Sequence, residues 1–332
     1  KPMLLNEIRG QNHAVRTLQR ALESGRLAHA YLFEGPSGVG KERAALALVK
    51  ALLCPDRPGK GCDRCSVCLR IDAGNHPDAR RFRPRDEGNR NIQVETLRSE
   101  ILPVAHFAPF EAKQAFLIFP EADVSFPQQH PEAANALLKT LEEPRPNVCF
   151  ILLAERPDRL LVTIRSRCQS LHFGRLPRLV LEHVLETAGI AEALHGPAIA
   201  LSDGRADRVL ALCEGGLAKS LLDRALRIDA ALTRGDTGRL IELAEELSKT
   251  DDLTLTFDAL ATFYRDVAAM GLGVQRDRLY FDDTSGQLAE QAKKLGPRRA
   301  AERAQKLGTL GDLLARNANT QITLDRLLLE LR

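Results

Sequence analysis

Apolar residues along this chain follow two rhythms. In the first half, the unbroken apolar runs AYLFEG (30–35), QAFLIF (114–119) and VCFILLA (148–154) read as buried strands. Between them, apolar residues recur every three or four positions, the helical period. Strands alternating with amphipathic helices predict an α/β class, a parallel sheet with helices on both faces. From 173 to 215 the pattern becomes three short helical segments, broken at Gly189, Gly196 and Ser202-Asp203-Gly204. From 216 onward every periodic stretch is helical: AKSLLDRALRIDAALTRG (218–235), DTGRLIELAEEL (236–247) behind a capping aspartate, and TQITLDRLLLELR (320–332). The helix EAANALLKTLEE (132–143) puts Ala134, Leu137, Leu138 and Leu141 on one face, expected in the core, and leaves Lys139, Glu142 and Glu143 outward.

These textures divide the 332 residues into 1–172, 173–215 and 216–332. A hydrophobic content of 44% and a charged content of 27% describe an ordinary globular protein. No apolar run approaches the ~18 residues of a membrane span, and no secretory-signal pattern opens the chain. It begins at Lys1 rather than Met, so leading residues are expected to be missing. A net charge of +3 is too small to argue for nucleic acid, and with no Trp and three Tyr a base-stacking surface is not expected. Seven cysteines without a secretory signal point to a reducing, cytoplasmic location.

The chemistry begins at GPSGVGKE (35–42), a strand–loop–helix phosphate-binding loop with Gly35, Gly38, Gly40 and Lys41 in place. Its next position calls for a Ser or Thr hydroxyl to ligate magnesium and holds Glu42 instead. Like charges about 4 Å apart cost ~4 kcal/mol at an effective dielectric near 20, so Glu42 opposes a nucleotide's phosphates. In an empty site the same carboxylate is favoured by the helix dipole and can accept the free amides there. The second acidic strand end, FLIFPEAD (116–123), has Pro120 where an aspartate would complete the metal site, and only Glu121 remains. Two metal-holding oxygens are therefore lost, and the pocket is expected to hydrolyse no ATP.

Cys54, Cys62, Cys65 and Cys68 have the doubled C-x-x-C spacing of a closed tetrahedral zinc site, structural because no position is left for a catalytic water. His76 is superfluous to that set and reads as a loop residue. The arginine-rich DARRFRPRDEGNRN (78–91) reads as a solvated loop before the helix VETLRSEIL (94–102), with contact to nucleic-acid phosphates as the alternative.

NALLKTLEEPRPNVCFILLAERPDRLLVTIRSRC (135–168) resembles bacterial clamp-loader subunits of the AAA+ class. GRLAHAYLFEGPSGVGK (25–41), the four-cysteine insert and NANTQITLDRLLLEL (317–331) resemble the same group. The resemblance implies an AAA+ domain over 1–172 with a zinc insert at 54–68, a three-helix lid over 173–215 and a helical collar over 216–332. It implies a stator-like subunit without ATPase activity of its own, in a DNA polymerase III complex that loads the sliding clamp onto primer-template DNA. The implied partners are ATPase subunits of the gamma/tau type and the clamp-opening delta subunit. It further implies that Arg167, in Ser166-Arg167-Cys168, enters the neighbouring subunit's ATP site as an arginine finger, and that Cys168 is a small core residue. Where catalytic relatives carry a polar sensor, this chain has Ala154 and Glu155. At the position of their lid arginine it has Asp207, with Arg208 one step out of phase. The rival readings are an active ATPase using Glu42 and Glu121 as magnesium ligands, and a zinc-containing DNA-binding module using Arg80, Arg81, Arg83 and Arg85.

Overall fold

A computed structural model describes residues 4–84, 91–250, 252–275, 278–281, 286–310 and 319–332. The chain forms two compact units, 1–175 and 176–332. In the first, five parallel strands make one sheet: β1 (Ala30–Glu34), β2 (Ala79–Arg81), β3 (Ala115–Phe119), β4 (Val148–Ala154) and β5 (Gln169–His172), in the order β2-β3-β4-β1-β5. The three apolar runs of the sequence are β1, β3 and β4, the central strands. β3 and β4 are buried along their whole length, as are the first four residues of β1, because helices cover both faces. Strands β2 (ARR) and β5 (QSLH) were not expected. They are short edge strands, partly exposed and polar, held by pairing rather than by apolar burial.

One face of the sheet packs the helix Pro131–Glu142 through Ala133, Ala134, Leu137 and Leu141, all buried, with Leu138 half-buried against the same cluster. The stretch 94–102 is helical as expected and the helix runs on to His106, with a wider π turn at Leu97–Ile101. The helix Lys41–Leu53 follows the phosphate loop and buries Ala44, Ala45, Ala47, Leu48 and Val49.

The second unit is helical throughout its described residues. The short helices Arg178–Thr187, His195–Leu201 and Ala206–Leu212 match the three expected segments, but Gly196 lies inside the second one rather than at a break. The interruption falls at 188–194, where Gly189 takes φ 72°. Longer helices follow at Leu217–Arg234, Thr237–Ser248, Leu253–Gly271, Gln287–Gly308 and Thr320–Glu330. Asp236 caps its helix as expected, accepting the Arg239 amide at 3.0 Å. The Gln287–Gly308 helix is kinked at Gly296, followed by Pro297. Its second half brings Arg303 to the Tyr264 hydroxyl at 3.1 Å; that hydroxyl donates to Asp229 at 2.8 Å, and Gln291 donates to the same carboxylate at 2.6 Å. Residues 317 and 318, which open the expected NANTQITLDRLLLEL segment, lie outside the described residues.

Candidate functional site: a P-loop with a paired glutamate

The phosphate loop leaves the C-terminal end of β1, the edge where parallel sheets carry their ligands. Gly35 is wedged between β4 and β5: its amide donates to the Ala154 carbonyl at 3.1 Å, and a Cβ on it would lie 2.0 Å from the Phe173 carbonyl oxygen. Its φ of 147° and that of Gly40, 99° at the head of the helix, are glycine conformations. Gln11 braces the loop from behind, donating to the Val39 and Gly174 carbonyls at 3.2 and 2.7 Å and accepting the Gly174 amide at 3.0 Å. Lys41 is buried and turns its ammonium back onto the loop, donating to the Gly35 and Pro36 carbonyls at 2.5 Å each.

Glu42 does not accept the helix amides that its position favours. Its carboxylate faces outward to two arginines: Arg83 donates to both oxygens at 2.6 and 2.7 Å, and Arg81 reaches one at 3.3 Å. Arg83 also approaches Glu121, two residues past the end of β3, at 4.0 Å. The arginine-rich segment read as a solvated or DNA-contacting loop is therefore corrected at these positions. Arg81 closes β2 and Arg83 lies two residues beyond it, which brings both guanidinium groups to the Glu42 carboxylate in the first turn of the helix after the loop. Arg80 instead stacks on Phe82 at 5.2 Å. Arg85 and Arg90 of that segment lie outside the described residues. Sequence reasoning missed the Arg83–Glu42 contact because it joins charges 41 positions apart, and no local period links them.

The four cysteines converge. All four sulfurs lie within 4.8 Å of one another, with Cys54–Cys65 at 3.8 Å and Cys62–Cys68 at 3.9 Å. Tetrahedral bonds of about 2.3 Å place sulfurs about 3.8 Å apart, so the donor set fits a closed four-sulfur site. The Arg57, Cys65 and Cys68 amides donate to the Cys54, Cys62 and Cys65 sulfurs at 3.3, 3.3 and 3.4 Å, which favours thiolates. The Cys62 thiol is lowered to about 7, chiefly by the Arg64 backbone amide, whereas burial pushes Cys68 up to about 12. The module is tied to the phosphate-loop helix by Lys50. This lysine is almost wholly buried, and its ammonium meets Asp63 at 2.5 Å and Asp72 at 3.1 Å. His76 is a loop residue, as expected, and is buried there: it sits 3.0 Å from Glu111 and accepts the Asp78 amide at 3.2 Å, apart from the sulfur cluster.

Arg167 lies just past the short helix Val162–Arg165. One guanidinium nitrogen donates to the Thr163 carbonyl at 2.8 Å, and the other pairs with Glu142 at the C-terminal end of the Pro131–Glu142 helix. Cys168 is half-buried against the sheet core, and burial pushes its thiol up to about 12. Ala154 ends β4 buried, and the following loop is fixed by Asp123, which accepts the Arg156 amide at 2.8 Å. In the second unit, Arg208 pairs with Asp258 at 3.0 Å, while Asp207 pairs with Arg205 at 3.1 Å.

Among known proteins, the DNA polymerase III subunit delta' of Bacillus subtilis is 38% identical over 183 residues, 55% of this chain and 53% of that protein. Subunit delta' of Pseudomonas aeruginosa is 37% identical over 142 residues, 42% of each chain. Subunit tau of B. subtilis is 29% identical over 324 residues, 88% of this chain and 55% of that one. The chain thus matches about half of the length of these relatives. A family model described as "DNA polymerase III, delta subunit" matches residues 10–177, a span that holds the loop, the cysteine cluster and Arg167. Since that match takes in half of the sequence, the chain belongs to the DNA polymerase III delta-subunit family.

Proposed function

We propose that this chain is a non-hydrolysing, stator-like subunit of a clamp loader, which places a sliding clamp on primer-template DNA. On this reading residues 1–172 form an AAA+ domain, 173–215 a lid and 216–332 a collar that joins ATPase subunits of the gamma/tau type and a delta subunit. Zinc is the metal of the four cysteines and has a structural role. Family membership supports a place in the clamp loader. The observation that carries the non-hydrolysing role is the condition of the pocket. The position of the magnesium-binding hydroxyl holds Glu42, neutralised by Arg81 and Arg83, and Pro120 stands where a ligand aspartate would lie. Magnesium-nucleotide would have to displace two guanidinium groups to meet a carboxylate. Two of the four arginines that a DNA-binding reading would use, Arg81 and Arg83, are engaged in the same ion pairs.

The loop that has lost its own chemistry leaves Arg167 as the group able to influence ATP. A guanidinium facing a neighbour's triphosphate neutralises charge that grows on the transferred phosphoryl group. The test is reconstitution with gamma/tau-type and delta subunits. The isolated chain is expected to turn over no ATP, and Arg167→Ala is expected to slow the clamp-stimulated ATPase of the complex at least about tenfold, within reach of the ~10³–10⁵-fold worth of a full finger. Turnover by the isolated chain, lost in Lys41→Ala, would favour an active ATPase instead.

A further inference from the structure

The surroundings of Arg167 hold a second charged residue, Glu142, with no place in the pocket chemistry. Glu142 is the last residue of the Pro131–Glu142 helix, and Glu143 follows it as the cap. Two adjacent carboxylates at the negative end of a helix dipole are unfavourable there and call for a cation. Arg167 supplies it from 25 residues away, across the turn after Val162–Arg165. Its guanidinium is held by Glu142 on one terminal nitrogen, and on the other by the Thr163 carbonyl at 2.8 Å and the Ser166 hydroxyl at 3.5 Å. A guanidinium has five N–H donors, so two remain, the Nε–H and one Nη2–H along one edge, to meet a phosphate while the held nitrogens keep their contacts. The side chains are 31% and 49% exposed, so the pair sits at the surface where a neighbouring molecule can reach it.

We propose that Glu142 is the positioning residue of Arg167: it holds the guanidinium at the rim of the domain with its free N–H edge turned outward. This rests on the finger reading given above. Without Glu142 the long arginine side chain samples many rotamers, and only a fraction of encounters with a triphosphate are aligned. Glu142 touches neither nucleotide nor metal and acts through Arg167 alone.

The experiment is steady-state ATPase kinetics of the reconstituted clamp loader with four forms of this chain: unmodified, Glu142→Gln, Arg167→Ala and the double variant, with Glu142→Asp as the conservative control. Glu142→Gln is expected to lower kcat about three- to tenfold with KM for ATP unchanged, because the neighbour's own loop binds the ground state. Glu142→Asp should recover part of the loss, and the double variant should be no slower than Arg167→Ala. Because Glu142 is half-exposed, thermal melts of the isolated variants should match the unmodified chain. If Arg167→Ala is slow but Glu142→Gln runs at the unmodified rate, the positioning role falls and the finger stands. An equal fractional loss from Glu142→Gln in the Arg167→Ala background also overturns it, since Glu142 would then act independently. If Arg167→Ala runs at the unmodified rate, the finger reading fails, and this inference fails with it.

Discussion

Lys50 is the residue at which local charge bears most on stability. It comes from the inner face of the phosphate-loop helix, where an apolar side chain would be expected, and it is 1% exposed. A buried ammonium is tolerable only when paired, and Asp63 and Asp72 supply the pairing from two sides. Asp63 takes a left-handed backbone, φ 56°, to do so, an uncommon conformation outside glycine. Lys50→Ala is expected to destabilise the chain by about 3 kcal/mol, the low end of the range for breaking a buried pair, because both carboxylates keep about a fifth of their surface in water. Urea unfolding checks the value, and a midpoint unchanged from the parent would show the pair to be dispensable. At this scale the sequence is a poor guide. Glu42, Pro120, Lys41 and Arg167 could be picked out because each stands in or against a motif. Their partners, Arg83 and Glu142, are ordinary charged residues whose meaning comes only from the fold.

Elements were legible in proportion to how much apolar surface they bury. β1, β3 and β4 announced themselves because a central parallel strand must be apolar on both faces. β2 and β5 did not: Arg80 and Arg81 face outward or toward Glu42, and β5 buries only Leu171 among its four residues. The same edge strand β2 is what delivers Arg81 and Arg83 to Glu42, so the hidden strand and the hidden ion pairs are one omission. Gly196 misled in the other direction, since a short helix packed through Ala198 and Ile199 absorbs a glycine at its start. The cysteine module was legible from spacing alone, because tetrahedral geometry constrains spacing directly. Its four-sulfur arrangement predicts close to one zinc per chain by elemental analysis. Cys62→Ser combined with Cys65→Ser should abolish that metal and lower the melting temperature by several degrees. Retention of stoichiometric metal by the double variant would mean the sulfurs are not its ligands.

Taken whole, the molecule carries two cores with different chemistry. The first unit is stabilised by an apolar sheet, whereas the second buries a polar network of Asp229, Tyr264, Gln291 and Arg303 between its helices. No described helix is long and apolar enough to cross a membrane. Burial raises Asp229 above its ordinary 3.8, although Tyr264 and Gln291 both donate to it, and burial likewise raises Asp266. A raised carboxyl holds its proton more tightly in the folded chain than in the unfolded one. Its contribution is therefore fully present below the ordinary value and is lost as pH climbs through the raised one. Asp229→Asn removes that titration while the amide of Gln291 can turn to keep its bond. The stability difference between about pH 4 and about pH 7 should therefore be shifted in the variant toward relatively greater stability at the higher pH. Urea titrations at both values measure it, and identical pH dependence in variant and parent would count against the assignment.

The Lys50 tie also joins the cysteine turn to the phosphate-loop helix. The helix that begins at the phosphate loop is fastened, through a single ammonium, to the turn between Cys62 and Cys65. Were that turn to lose its place, the ammonium would be left with Asp72 alone. The geometry of the sulfur knuckle and the charge balance of the helix that begins at Lys41 are thus set by one shared aspartate, Asp63.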